Sequence, residues 1–188
     1  MDFAAQVAQF SKLAEEKGFV NSLEGNLSVI DRETGRIYIT PSHKAKCLLT
    51  PEQICVVDKA GQQIGGTGKK SSEFFLHEAA YLARPDIGAV IHCHSPYLTA
   101  HAFAYRDFVP PEDTFLSQIF GTIQCLPFGE HGTHAIHQGI EEALTGRPLA
   151  LLGGHGVVCV GADLEDALGI MEAAENFAKT VALKKALD

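Results

Sequence analysis

Ala89-Val90-Ile91-His92-Cys93-His94, followed at once by Ser95-Pro96, is the stretch on which the architecture turns. Its apolar, β-branched opening reads as a strand buried on both faces. Ser95-Pro96 ends the strand and starts a helix, expected over about 97–105, because proline is tolerated at the first helical position. Side chains alternate along a strand, so His92 and His94 project to one side and Cys93 to the other. A strand buried on both faces needs helices on both sides of its sheet, which predicts a layered α/β fold.

Toward the C-terminus, residues 149–152 and 157–160 read as strands on either side of Gly153-Gly154-His155-Gly156, and Asp163 is placed to cap a long final helix. Residues 123–126 read as a further strand. Gly132-Thr133 then offers an N-cap for a helix carrying Ile136, Ile140 and Leu144 at steps of four and closed by Gly146. Residues 106–122 show no period and are expected to be irregular.

Toward the N-terminus, Phe3, Val7, Phe10 and Ala14 form one helical stripe ended by Gly18. Residues 26–31 and 36–40 around Glu33-Thr34-Gly35 predict an antiparallel hairpin. Thr50-Pro51-Glu52-Gln53 carries the capping-box pattern for a short helical turn before a strand at 54–58. A glycine- and lysine-rich loop, residues 65–72, runs into a helix that ends near Arg84-Pro85 and has Glu73 in its first turn. The early hairpin argues against an all-parallel sheet. The whole, residues 1–188, is expected to form a single domain.

Hydrophobic residues make up 46% of the chain and charged ones 20%, the balance of an ordered globular protein. The formal net charge of −8, without a basic stripe, excludes a non-specific nucleic-acid binder. No apolar run approaches the roughly 20 residues of a bilayer crossing, and Asp2, Glu15 and Glu16 stand where a secretory leader would be basic. The expected location is the cytoplasm. Five cysteines without CxxC spacing read as reduced, buried thiols, three of them in apolar strand-like runs.

His92 and His94 converge on one face, and His155 sits in a glycine-rich turn that permits close approach. The three together form a candidate site for one divalent cation, and three neutral imidazoles would leave zinc an open position. The alternative is a set of core histidines hydrogen-bonded to backbone. His131, His134 and His137 form a rival cluster whose steps of three do not keep to one helical face, which favours a solvated helix start. His43, His77 and His101 read as surface or packing residues. Glu73 alone reads as a helix-N-terminal glutamate favoured by the dipole, and Ser71-Ser72 alone as an N-cap or an anion cradle.

Several strings acquire a joint meaning. Glu24-Gly25-Asn26-Leu27-Ser28, Ile39-Thr40-Pro41-Ser42, Leu49-Thr50-Pro51-Glu52, Ser71-Ser72-Glu73 with His77 a turn later, His92-Cys93-His94-Ser95-Pro96-Tyr97 and His155-Gly156 resemble, in order and spacing, the class II aldolase/adducin family. The resemblance implies a three-layer α/β/α fold with a mainly antiparallel central sheet, and a homotetramer. It also implies Zn2+ on His92, His94 and His155, Glu73 as acid/base carboxylate, and a substrate-phosphate pocket at Asn26, Ser42, Ser71 and Ser72. The implied activity is zinc-dependent cleavage of a sugar phosphate, a deoxyketose 1-phosphate such as L-fuculose 1-phosphate, to dihydroxyacetone phosphate and a short aldehyde.

The sequence departs from the family pattern at three places. His43 follows Ser42 where the family usually has glycine, which is expected to obstruct an amide approach to phosphate, with Lys44 and Lys46 as electrostatic compensation. Lys70 precedes the double serine where many relatives carry proline. The family's C-terminal tail, which can supply a tyrosine acid, is expected to have no counterpart after the last helix, which leaves Tyr105 as the only mapped tyrosine. The same chemistry would serve a decarboxylase, a 4-epimerase or a dehydratase on a sugar (acid) phosphate, and a non-catalytic adducin-like scaffold is the reading from another class.

Overall fold

The computed structural model describes residues 2–112, 114–130, 132–185 and 187. Helix α1 (Phe3–Glu16) begins where the Asp2 carboxylate accepts the Ala5 N–H at 3.0 Å and turns out through Gly18 at φ 75°. Strands β1 (Asn26–Asp31) and β2 (Arg36–Ile39) pair as the expected hairpin, Ser28 opposite Ile39. A single 3-10 turn at Pro51–Gln53 carries the capping box and leads into β3 (Cys55–Val57), which pairs with β4 (Gln63–Gly65).

Helix α2 (Phe74–Ala83) precedes β5 (Ala89–Cys93), the strand read first. Helix α3 (Pro96–Phe103) follows directly, with proline in its first turn. Next come α4 (Phe115–Phe120), β6 (Cys125–Leu126), a 3-10 turn at His134–His137 and α5 (Ile140–Ala143). Strands β7 (Leu149–Leu152) and β8 (Gly156–Gly161) and helix α6 (Leu164–Lys185) complete the chain.

The strands form one eight-stranded sheet in the order β4-β3-β2-β1-β5-β8-β7-β6. Every neighbouring pair is antiparallel except β6 with β7. The sheet is therefore mixed, which amends the expectation of a mainly antiparallel one at that edge. The physical reason is the connection: the segment holding the 3-10 turn and α5 crosses over between β6 and β7, and a crossover of that length returns the chain in the same direction.

Residue alternation sorts the core into two layers. Leu27, Val29, Ile91, Cys93, Leu151, Val157 and Cys159 point to the side covered by α1, α3 and α6. Ile37, Ile39, Val57, Val90, Leu152, Val158 and Val160 point to the side covered by α2, α5 and the adjoining 3-10 turn. All five residues of β5 are buried, as its apolar run predicts. Each fully buried Ile, Leu or Val of this set contributes about 1.5–3 kcal/mol through removal of apolar area from water. Among the described residues no helix is long and apolar enough to cross a membrane.

Three local expectations are corrected. The helix expected from Thr133 to Gly146 is broken, because Gln138 is extended and Gly139 sits at φ 86°. Ile136, Ile140 and Leu144 nonetheless all bury their side chains. The segment expected to be irregular contains α4, whose N-cap Thr114 accepts the Ser117 N–H at 3.2 Å. Glu73 is not inside the first turn of its helix but at the N-cap of α2, with φ −97° and ψ 17°. Cys55, Cys93 and Cys159 are buried free thiols as expected, whereas Cys47, outside any strand, is exposed and Cys125, on the edge strand, is half-buried.

Candidate active site

The sheet register assembles the site. His92 on β5 lies beside Asn26 of β1 and Val158 of β8. His94 stands one residue past the end of β5, held there by its N–H to the Phe19 carbonyl at 3.0 Å. His155 occupies the turn between β7 and β8, and the pairing of Cys93 with Val157 brings that turn against the end of β5. Gly156 permits the approach: a Cβ there would lie 2.6 Å from the Cys93 carbonyl oxygen and 2.8 Å from Cδ2 of His94.

The ligand-capable atoms of His92, His94 and His155 lie within 4.8 Å of one another. His92 Nε2 and His94 Nε2 are 3.3 Å apart. Two nitrogens bound tetrahedrally at a zinc–nitrogen distance of about 2.0–2.1 Å would be separated by about 3.3 Å. Glu73 closes the group, with Oε2 3.3 Å from His92 Nε2 and Oε1 3.2 Å from His155 Nε2.

The tautomer of His92 follows from its other nitrogen. Nδ1 lies 2.9 Å from the Val157 carbonyl, which only accepts, so Nδ1 carries the hydrogen and Nε2 presents a lone pair to the group. His94 likewise turns Nδ1 to the Glu24 carboxylate at 3.5 Å and Nε2 inward.

Burial pushes the basicity of His92 and His94 down, which keeps both rings neutral at pH 7, as metal ligation requires. Burial by itself raises Glu73, but positive charge at His92 and His155, the Asn26 hydrogen bond and His77 outweigh it and hold the carboxyl at about 2. Three imidazoles converging within 4.8 Å, with the His92 and His94 Nε2 atoms facing one another, form a donor set that fits a divalent metal ion.

The group opens into a cleft of about 530 Å³ lined by Glu24, His43, Ser72, Glu73, His94 and His155 among others. A smaller recess shares His43, Ser72 and Glu73 and is lined further by Asn26, Ser42, Lys46 and Ser71. The four residues expected around phosphate are thus brought together beside the imidazoles. In this state two amides at the recess are engaged locally, Ser72 N–H to Ser42 Oγ at 3.2 Å and Glu73 N–H to Ser71 Oγ at 3.2 Å.

His43, expected to obstruct an amide approach to phosphate, stands at the rim of both the cleft and the recess. It adopts φ 54°, the left-handed conformation a glycine would take, and its side chain is exposed. Lys46, expected only as diffuse compensation, is 2% exposed. Its ammonium donates to the Asn21 and Lys44 carbonyls at 3.1 and 3.2 Å, and among the described residues no carboxylate pairs with it. Burial lowers its basicity, with Glu15 and Glu73 opposing from a distance.

His77, read as a packing residue, is completely buried and hydrogen-bonded through both ring nitrogens, to Ser28 and Asn26. The step of four from Glu73 to His77 to Tyr81 was the available signal for it. Tyr105 lies against Gly153 and Gly154, outside the residues lining the cleft. Of the rival cluster, His131 lies outside the described residues. His134 and His137 contact each other at 3.2 Å, and His134 packs on Phe75.

Comparison with known proteins identifies the family of the chain. Residues 5–182 match the family described as Class II Aldolase and Adducin N-terminal domain. A 5-deoxy-D-ribulose 1-phosphate aldolase from Bacillus thuringiensis serovar kurstaki is 29% identical over 171 residues, 90% of this chain and 79% of that protein. A 3-oxo-tetronate 4-phosphate decarboxylase from Haemophilus influenzae is 33% identical over 178 residues, 92% and 83% of the two chains. Among solved structures, an L-fuculose 1-phosphate aldolase superposes with a TM-score of 0.91 at 29% identity, covering 99% of this chain and 87% of that one. The chain belongs to the class II aldolase and adducin family, and is an enzyme of its metal-dependent aldolase class.

Proposed function

We propose that the protein is a zinc-dependent aldolase that cleaves a deoxyketose 1-phosphate, such as L-fuculose 1-phosphate, to dihydroxyacetone phosphate and a short aldehyde. The observation that carries this is the placement of a buried carboxylate 3.2–3.3 Å from two of three converging imidazoles, at the floor of an open cleft. His92, His94 and His155 would hold the cation. When bound, it supplies Lewis-acid stabilisation, several kcal/mol, to negative charge that develops on substrate oxygens as the carbon–carbon bond breaks.

The remaining work belongs to the chain's own residues. Glu73 takes the proton from the carbon next to the carbonyl in condensation and returns it in cleavage. Asn26 grips one oxygen of that carboxylate at 2.6 Å and so sets its direction. Ser42, Ser71 and Ser72 offer hydroxyls to the substrate phosphate, and Lys46 places a fixed positive charge behind them. The reading extends to a single domain over residues 1–188 and to a homotetramer in the cytoplasm. Exposed Tyr105 and Phe128, both against Gly154, would supply apolar surface to a subunit contact beside the site.

A zinc-loaded sample is expected to release dihydroxyacetone phosphate from one member of a ketose 1-phosphate panel. His94→Ala should lose most bound metal, and Glu73→Gln should keep it while losing about a hundredfold or more in turnover. Near-stoichiometric zinc in the first variant, or full activity in the second, would refute the assignment. A second reading, decarboxylation of a 3-oxo sugar-acid phosphate, is favoured by the similarity to the Haemophilus influenzae decarboxylase. Carbon dioxide release from such an acid, without dihydroxyacetone phosphate from the panel, would select it.

A further inference from the structure

Glu73 at the N-cap of α2 and His77 and Tyr81 within the helix follow one another at steps of four, which aligns them along one helical face. Opposite them, Asn26 and Ser28 stand at a step of two on β1 and share one face of the sheet. The two rows interlock in a continuous buried chain of hydrogen bonds. Tyr81 Oη meets Ser28 Oγ at 2.8 Å, and Ser28 Oγ meets His77 Nδ1 at 2.6 Å. His77 Nε2 meets Asn26 Oδ1 at 2.5 Å, and Asn26 Nδ2 meets Glu73 Oε2 at 2.6 Å.

Every hydrogen in this chain is directed from the Glu73 end. An ionised carboxylate only accepts, so Asn26 turns its NH2 to Glu73 and its carbonyl to His77. That carbonyl only accepts, so His77 carries its hydrogen on Nε2 and offers a bare Nδ1. Ser28 therefore donates to Nδ1, and Tyr81 donates to Ser28. Turning the Asn26 amide over would set its carbonyl against the carboxylate, a buried repulsive contact that no change of His77 tautomer relieves.

We propose that His77 is the positioning residue of Glu73. By holding the Asn26 carbonyl it fixes the amide that grips Oε2, and so sets where the carboxylate stands between imidazoles and cleft. The inference rests on the reading of Glu73 as the acid/base group. His77 is 0% exposed, so it meets no substrate, and its hydrogen-bonded path to Glu73 runs through Asn26. Catalytic groups displaced by about 1 Å can lose on the order of a hundredfold in rate, so a loosened amide has a measurable consequence.

Two amide substitutions separate positioning from a merely structural tie between α2 and β1. His77→Gln places an N–H near the Nε2 position, within reach of Asn26. His77→Asn ends near Nδ1 and keeps only the Ser28 contact. In the zinc-loaded full chain, with L-fuculose 1-phosphate as probe, His77→Asn should lower kcat about tenfold or more with KM within about threefold and metal content unchanged, while His77→Gln recovers most of the loss. Wild-type kcat in His77→Asn, or equal losses in both variants, would overturn the proposal.

In a Glu73→Gln background the His77→Asn change should cost nothing more, and a full multiplicative loss would show that His77 acts elsewhere. Wild-type turnover in Glu73→Gln alone would instead overturn the acid/base assignment. Independently of any substrate, 15N NMR of the histidine rings should show His77 protonated at Nε2 and bare at Nδ1. The opposite tautomer would reverse the chain and end the proposal.

Discussion

His43 holds a backbone angle that its side chain disfavours, φ 54°, at the rim of both the cleft and the recess. A left-handed non-glycine residue costs about 1–2 kcal/mol. His43→Gly is therefore expected to stabilise the protein by up to about 1 kcal/mol after the added chain entropy of glycine, read as a higher urea midpoint at constant m-value. A lower midpoint would mean that the exposed imidazole makes a contact worth more than the strain. Lys46 is a different case, a buried cation with carbonyl partners and, among the described residues, no carboxylate partner, lining the recess that holds the serines. Lys46→Met should raise KM for a phosphorylated substrate about tenfold or more at nearly constant kcat and unchanged metal content. An unchanged KM would assign Lys46 to tying the loop alone. At this scale the three imidazoles were legible because strand alternation fixes the directions of His92 and His94, and a glycine-rich turn singles out His155. Lys46 was not, since nothing local distinguishes a buried lysine from a solvated one, and His77 was marked only by its step of four from Glu73.

At the scale of elements, the helices that follow strands are held by groups distant in sequence. Glu175 of α6, 7% exposed, accepts the Tyr97 and Leu98 N–H groups at 2.8 and 3.0 Å, and so closes the N-terminus of α3 directly after the segment bearing His94. Two charge-assisted bonds at a helix N-terminus make Glu175→Ala cost about 2 kcal/mol or more. Chemical denaturation should show that loss, and an effect below about 0.5 kcal/mol would mean water replaces the carboxylate without penalty. Elements with strong signals were read at nearly their observed bounds: the β1–β2 hairpin, β5, the capping-box turn and the strands around His155. The misreadings have physical causes. The apolar step of four through Ile136, Ile140 and Leu144 marks burial correctly, but Gly139 at φ 86° breaks the backbone beneath it. Helix α4 is too short for a period to be visible, and its only local mark is the Thr114 cap.

At the scale of the molecule, one sheet with a helical layer on each face leaves the core independent of the metal group, which sits at the open ends of β1, β5 and β8. The protein should therefore remain folded without metal but become sensitive to acid. Burial holds His77 down at about 3, so that ring stays neutral in the folded state well below pH 6.5, and burial shifts His92 in the same direction. The unfolded chain takes up that proton near 6.5, and stability consequently falls as pH drops through that value, by about 1.4 kcal/mol per pH unit for His77. Glu73, held at about 2, stabilises the folded state above its unfolded value of 4.5 and loses that contribution only between 4.5 and 2. Denaturation of the metal-free protein should thus be flat above pH 7 and steepen below 6.5, with a second loss under 4.5. Saturating zinc should raise stability at pH 7 by mass action, and the increment should shrink toward pH 5.5 as ring protons compete for the same nitrogens. A zinc increment that stays constant over that interval would place the ion on groups that do not titrate there, and so away from His92, His94 and His155.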